Sequence, residues 1–190
     1  MKIFSLAYWL AIFVEMGIRA PLRKHYKTAG RKEQHVSRTE RVLLSLLSIS
    51  MLPAVIYSIT GWLDFANYRL PPVLGWLGVL LTALALFLFW RGHYDLKTNW
   101  TPTLEIYEKH YLVTNGIYAY IRHPMYASQW VFAIAQVFVL QNWLAGPVSL
   151  LLWIPFYFLR TRAEEQMMLE NFGEEYREYM KKTGAVFPKI

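Results

Sequence analysis

Tyr126-Ala-Ser-Gln-Trp-Val-Phe-Ala-Ile-Ala-Gln-Val-Phe-Val-Leu140, then Gln141-Asn142, then Trp143-Leu-Ala-Gly-Pro-Val-Ser-Leu-Leu-Leu-Trp-Ile-Pro-Phe-Tyr-Phe-Leu159 is the stretch that decides the fold. Two apolar runs separated by two polar residues leave room only for a tight helical hairpin. Working outward, three more apolar runs stand at about Ile3–Ile18, Val42–Thr60 and Pro72–Trp90. Some are shorter than the roughly 20 residues that a perpendicular membrane span needs. The chain of 190 residues is 55% hydrophobic, above the roughly 45–50% of soluble domains. Its mean hydropathy is positive, and its 8 Trp and 13 Tyr suit interfacial aromatic belts. The expectation is an all-α integral membrane protein with about five transmembrane helices. The first run lacks a small-residue cleavage site and reads as a retained helix, not a signal peptide.

Charge sets the orientation. Eight Lys and Arg lie between Arg19 and Arg41, four between Arg91 and Arg122, and six from Arg160 to Lys189; only Lys2 and Arg69 fall on the other side. Eighteen against two, by the positive-inside rule, puts the N-terminus outside and the C-terminus in the cytoplasm, with an odd number of spans between. The net charge of +7 is thereby explained by topology, which argues against nucleic acid as a partner. The chain reads as a single membrane domain over 1–190. Residues 1–90 form a three-helix N-terminal part, and 91–190 a catalytic part of loop, helical hairpin and cytoplasmic tail. Pro53 and Pro155 lie inside spans and are expected to kink them. Ionisable residues within the spans are nearly limited to Glu15.

The polar residues at the hairpin's cytoplasmic ends carry the functional signal. Before the first arm stands Arg122-His123-Pro124-x-Tyr126. Pro124 suits the first turn of a helix, where a missing N–H costs nothing. Arg122 and Tyr126, four apart, are spaced to share a helix face. Arg and Tyr alone fit an interfacial anchor as well as a site; His123 tilts the reading toward a site. After the second arm comes Arg160-Thr-Arg162-Ala-Glu164-Glu165, a helix expected to run to about Phe172 and to break at Gly173. Arg160 and Glu164 have pairing spacing. Adjacent carboxylates point about 100° apart, so only one faces a given cleft fully. The hairpin brings these carboxylates back beside Arg122 and His123.

Further along, Gly116 reads as a turn needing positive φ or close backbone approach. The tail Glu174–Gly184 places Tyr176, Tyr179 and Met180 on one helical face, and Val186-Phe187-Pro188 is expected to fold back as an apolar plug. With no Cys, disulfides, thiolate nucleophiles and Cys-based zinc sites are excluded. His93 and Asp95 are not at metal-ligand spacing, so no metal is expected. No Gly-x-Gly pair occurs, which removes Rossmann and Walker loops.

Leu112-Val113-x-x-Gly116-Ile-Tyr118, Arg122-His123-Pro124-x-Tyr126, Glu164-Glu165 and Phe172-Gly173-Glu-Glu-Tyr176, in that order, resemble the isoprenylcysteine carboxyl methyltransferase family. The resemblance covers about Asn99 to Pro188. It implies S-adenosylmethionine as cofactor, held by His110, Leu112, Val113, Tyr118, His123, Pro124, Met125, Tyr126 and the pair Glu164 and Glu165. It also implies a substrate-orienting arginine, for which Arg160 and Arg162 are equal candidates. The length is similar to compact prokaryotic members, which implies a prokaryotic cell membrane with a cytoplasmic site. The implied reaction is carboxyl O-methylation of an isoprenylcysteine-like or other lipophilic substrate entering from the bilayer. Two alternatives stay open at this point: methylation of a phospholipid amine or small thiol, and a non-enzymatic carrier or scaffold. A carboxylate with a pKa near 3.3–3.7 is ionised at neutral pH and needs no general base, which weakly favours it over an ammonium.

Overall fold

In a computed structural model of the chain, the described residues are 3–28, 38–102 and 111–189. Six α-helices follow in order: α1 Ser5–Thr28, α2 Arg38–Ser50, α3 Leu52–Ile59, α4 Pro72–Leu96, α5 Pro124–Leu140 and α6 Pro147–Lys182. Short 3₁₀ turns stand at Asp64–Ala66, Lys97–Asn99 and Gly116–Ala119. Among the described residues there is no β-strand, only two isolated bridges. The helices are dressed outward with large apolar side chains such as Leu10, Phe13, Trp76, Leu80, Phe87 and Phe158, all exposed. A surface of that kind is stable facing lipid, where only structures with internally satisfied backbones persist.

Helix α4 packs against α5 through a stripe of small residues. Gly78, Thr82, Ala85 and Gly92 fall at spacings of four, three and seven residues, on one helical face, and are all buried. A Cβ on Gly78 would sit 2.6 Å from Phe138 and 2.8 Å from Val139, so only glycine admits this approach. Ser128 donates to the Ala85 carbonyl at 2.8 Å across the same seam. Close backbone approach with hydroxyl bonding is how helices associate without a hydrophobic drive between them. The main core joins Tyr8 and Ala11 of α1 with Ala54, Tyr57, Ala85, Phe132 and Val139. Trp153, Phe156 and Tyr157 of α6 form a second core against Leu43, Leu44 and Leu47 of α2.

The second apolar run is interrupted at Met51, two residues before Pro53, which divides one span, Glu40–Ile59, into α2 and α3 where a proline break is expected. Other expectations are corrected. Helix α1 runs on to Thr28, well past Ile18. Helix α6 begins at Pro147, so the hairpin turn is Gln141–Gly146, not two residues. Asn142 organises that turn: its side-chain oxygen accepts the N–H groups of Leu144 and Ala145 at 3.1 and 3.0 Å, and its amide donates to the Leu63 carbonyl at 2.7 Å. Pro155 leaves α6 helical on both sides; the sole non-helical backbone inside α6 is Gly173, at φ 52° and ψ −122°, which is the predicted break. Among the described residues three stretches are long and apolar enough to cross a membrane: Ser5–Lys24, Glu40–Ile59 and Pro72–Asn99. Helix α5 is apolar but shorter.

Candidate active site

The loop between α4 and α5 is anchored before it reaches the site. Asp95 pairs with Arg91 at 3.0 Å and accepts the Ile117 N–H at 2.7 Å. Gly116, at φ 60°, lets the chain pass against the Asp95 carboxylate, as the sequence predicts. The 3₁₀ turn that follows buries Tyr118, whose carbonyl accepts the Tyr179 hydroxyl at 2.6 Å. The chain end folds back onto the same loop: the Arg122 and His123 N–H groups donate to Gly184 and Ala185 carbonyls at 2.8 and 2.9 Å. Val186 packs near the α6 core, but Phe187 is 79% exposed, so it is no plug.

His123 is the residue immediately before α5, which starts at Pro124 as a helix-starting proline should. Arg122 therefore precedes the helix and does not share a face of it with Tyr126. The two carboxylates of α6 both reach the imidazole, because its two nitrogens point apart. Glu165 lies 3.1 Å from Nε2, and Glu164 lies 3.6 Å from Nδ1. Arg122 holds Glu165 from the other side at 2.7 Å and also donates to the Thr183 carbonyl. Tyr126 donates to Glu164 at 2.5 Å and accepts from Arg160 at 3.0 Å. Burial alone would lower the His123 pKa, but hydrogen bonds and charge from Glu164 and Glu165 outweigh it and hold it up at about 9. Burial likewise opposes ionisation of the two carboxylates. His123 and Arg122 overcome this for Glu165 and bring it down to about 2, and His123, Tyr126 and Arg160 keep Glu164 below the usual range.

This cluster is one wall of a cavity of about 630 Å³ that extends between α1, α2, α5 and α6. Leu112, Val113, Tyr118, His123, Pro124, Met125, Tyr126, Arg160 and Glu164 all line it. Glu165 does not; it stands behind His123, so Glu164 is the carboxylate that faces the cavity. Arg162 is exposed and off the cavity wall, which separates it from Arg160. His110 lies outside the described residues. Arg160 does not pair with Glu164 as spacing suggests; it pairs with Glu40 of α2 at 2.6 Å.

Residues 76–170, half of the chain, match the model of the isoprenylcysteine carboxyl methyltransferase (ICMT) family. The chain belongs to this family. It is 30% identical over 156 residues to the protein-S-isoprenylcysteine O-methyltransferase of Homo sapiens, covering 77% of this chain and 55% of that protein. It is 39% identical over 82 residues to the enzyme of the same name from Schizosaccharomyces pombe, covering 43% of this chain and 34% of that one. The eukaryotic intramembrane Ras methyltransferase ICMT has a similar fold, with TM-score 0.51 and 23% identity over 83% of this chain and 55% of that one. The chain thus spans about half or less of the length of these relatives. The family match takes in α4, α5, the loop between them and the carboxylate part of α6. It leaves out α1 and α2 and, with α2, Glu40.

Other cavity residues escape a motif reading. Met167 and Met168 line the cavity and stand three and four residues after Glu164, so helical spacing alone finds them. Tyr176 and Tyr179 line it too, beyond the packing role that their spacing predicts. Glu40 has no local signal at all.

Proposed function

We propose that this chain is an S-adenosylmethionine-dependent methyltransferase that esterifies the carboxylate of an isoprenylcysteine-like or other lipophilic substrate at the cytoplasmic membrane face. The observation that carries this reading is the contact of buried His123 with half-buried Glu164, standing beside Arg160 on one cavity wall. Membership of a methyltransferase family implies a methyl donor, and the lining suits one with a cationic centre and polar ends. The bound cofactor would supply a sulfonium methyl group, already activated for displacement by its charge. Glu164 and His123 would hold the cofactor's polar groups by charge-assisted hydrogen bonds. Tyr118, Tyr126, Tyr176 and Tyr179 line the cavity, and their ring faces would favour a cation. Arg160 would orient the acceptor carboxylate, its Nε already spent on Tyr126. No cavity group has to take a proton from a carboxylate. The residues' work is positioning and exclusion of water, the latter by Trp153 and Phe156. The lipid tail would lie between α1, α2 and α6, entering from the bilayer. Five spans with the C-terminus inside, acting as one membrane domain, fit the charge count and put the site in the cytoplasm.

Calorimetric titration of the purified protein with S-adenosylmethionine tests the cofactor assignment directly. Binding that weakens about tenfold or more in both His123→Ala and Glu164→Ala is expected. Absence of binding, or binding untouched by either change, overturns it. A base-labile methyl ester formed from labelled donor separates carboxyl transfer from amine or thiol transfer.

A further inference from the structure

At the end of α4 lies a second, smaller cavity of about 280 Å³, lined by Arg91, Tyr94, Lys97, Tyr111, Val113 and Asn115 among others. It shares a wall with the first, since Tyr111 and Val113 line both. Asn99 ties that wall to the end of α4, its amide donating to the Tyr111 carbonyl at 2.8 Å. Helix α4 fixes the depth of this cavity. Its 25 residues run about 37 Å at 1.5 Å each, longer than the roughly 30 Å hydrocarbon core. Its last turns therefore emerge into the headgroup layer. Trp90 and Tyr94, 44% and 55% exposed, mark that level as interfacial aromatics do.

The charges in the cavity do not cancel. Asp95 lines it too, but that carboxylate is matched within the protein: it meets Arg91 Nε at 3.0 Å and accepts the Ile117 N–H at 2.7 Å. Among the described residues no carboxylate pairs with the Nη groups of Arg91 or with exposed Lys97. Asn115 adds an amide donor, and Tyr94 and Tyr111 add hydroxyls. Such a lining complements an anion with several acceptor oxygens.

The backbone at Lys97 is a second, independent observation. It stands at φ 50° and ψ −125°, a conformation that a Cβ disfavours. Gly173 adopts nearly the same angles, φ 52° and ψ −122°, and nothing stands within 4 Å of where its Cβ would be. Where the side chain has no task, the chain meets this conformation with glycine. At position 97 it accepts the strain and keeps an ammonium. Strain held in place by the surrounding structure points to function.

We propose that this second cavity binds the phosphate of an anionic phospholipid. Lys97 and the Arg91 Nη groups are the charged contacts, and the acyl chains descend along exposed Trp90 and Phe87 of α4. The lipid is a bound component and not the methyl acceptor. A choline headgroup would bring a cation beside Lys97 and Arg91, so a zwitterionic lipid is the weaker ligand. Under the orientation proposed above the lipid belongs to the cytoplasmic leaflet, but its binding does not depend on methyl transfer.

The test titrates the full chain, in a neutral maltoside detergent, with dihexanoyl-phosphatidylglycerol, dihexanoyl-phosphatidylcholine and inorganic phosphate, each read by calorimetry. Saturable one-to-one binding of the phosphatidylglycerol is expected, about fivefold or more tighter than either other probe, the scale of one basic contact at an anionic membrane surface. Lys97→Gly relieves the backbone, so its thermal midpoint should equal or exceed that of the wild type while phosphatidylglycerol affinity falls about fivefold or more. Lys97→Arg, which keeps the charge, should keep the affinity within about twofold. No saturable binding by the wild type, equal affinity for phosphatidylcholine, or unchanged affinity in Lys97→Gly overturns the site. Inorganic phosphate bound as tightly as the lipid overturns the lipid as its occupant. A Lys97→Gly midpoint below the wild type overturns the reading of Lys97 as a residue kept against strain.

Discussion

Arg160 and Glu40 are 120 positions apart in the chain and 2.6 Å apart in space. Their side chains are 10% and 7% exposed, so this is a buried ion pair and not a surface one. It ties α2 to the site: Glu40 grips Nη1 from outside the cavity while Nε reaches Tyr126 within it. Removing one partner strands the other charge, which typically costs about 3–5 kcal/mol, whereas replacing both by apolar residues is often neutral. Glu40→Ala is therefore expected to lower the thermal unfolding midpoint of the detergent-solubilised protein markedly. The double variant Glu40→Leu/Arg160→Met should recover most of that loss while still weakening acceptor binding as loss of Arg160 does. A double variant less stable than both singles would contradict the assignment.

The two arginines that the motif leaves equivalent are not equivalent in space. Arg160 lines the cavity and Arg162 is exposed. Arg160→Ala is expected to raise KM for a carboxylate lipid about ten- to hundredfold, the scale of hydrogen bonds to a charged group. Arg162→Ala should stay within about twofold, as surface changes do. Steady-state kinetics on the two variants decide this, with donor affinity as the control for folding.

What the sequence discloses here is what local spacing or short-range topology can encode. Gly116 and Gly173 announce positive φ by being glycine. The Arg122–Tyr126 and Glu164-Glu165 motifs can be put together because the hairpin that joins them is short. The finer division between the carboxylates is not readable, because it depends on how the imidazole of His123 is turned: Nε2 toward Glu165 and Nδ1 toward Glu164. The six-residue hairpin turn is hidden because Trp143, Leu144 and Ala145 are apolar and pass for helix. They are held outside it by Asn142, whose partners include Leu63 and Asn67. Glu40 is invisible for the plainest reason, since nothing near it in the chain records that Arg160 lies opposite.

The pH response of the site follows from the His123 clamp. His123 is raised from 6.5 to about 9 in the folded protein, so the stability it contributes is fully present below about pH 6.5 and is lost as pH rises through 9. Glu165 is lowered from 4.5 to about 2, so its contribution is present above about pH 4.5 and lost as pH falls through 2. The two shifts share one ion pair and are not additive. Thermal midpoints should form a plateau across neutral pH and fall on the alkaline side near pH 9. In His123→Gln the alkaline step should shrink, because the group that deprotonates is gone. An alkaline fall of unchanged size in that variant would assign it elsewhere.

Gly116 links the loop backbone to the site through Asp95. At φ 60° a non-glycine residue is disfavoured by about 1–2 kcal/mol, and a Cβ there would overlap the Asp95 carboxylate. That carboxylate cannot simply step aside, since it accepts the Ile117 N–H at 2.7 Å and pairs with Arg91 at 3.0 Å. Gly116→Ala should thus lose the backbone preference and the Asp95 bond together, roughly 2–3 kcal/mol in all. Asp95→Ala alone should lose the Ile117 hydrogen bond and the Arg91 pair, roughly 1–2 kcal/mol together. In the double variant the overlap is relieved but the positive φ remains, so its destabilisation should be smaller than the sum of the singles. Because Tyr118 follows two residues on and faces the cavity, donor affinity should fall with stability in Gly116→Ala. Thermal unfolding of the four proteins gives the coupling, and a strictly additive result would mean that Asp95 yields freely and does not hold the turn.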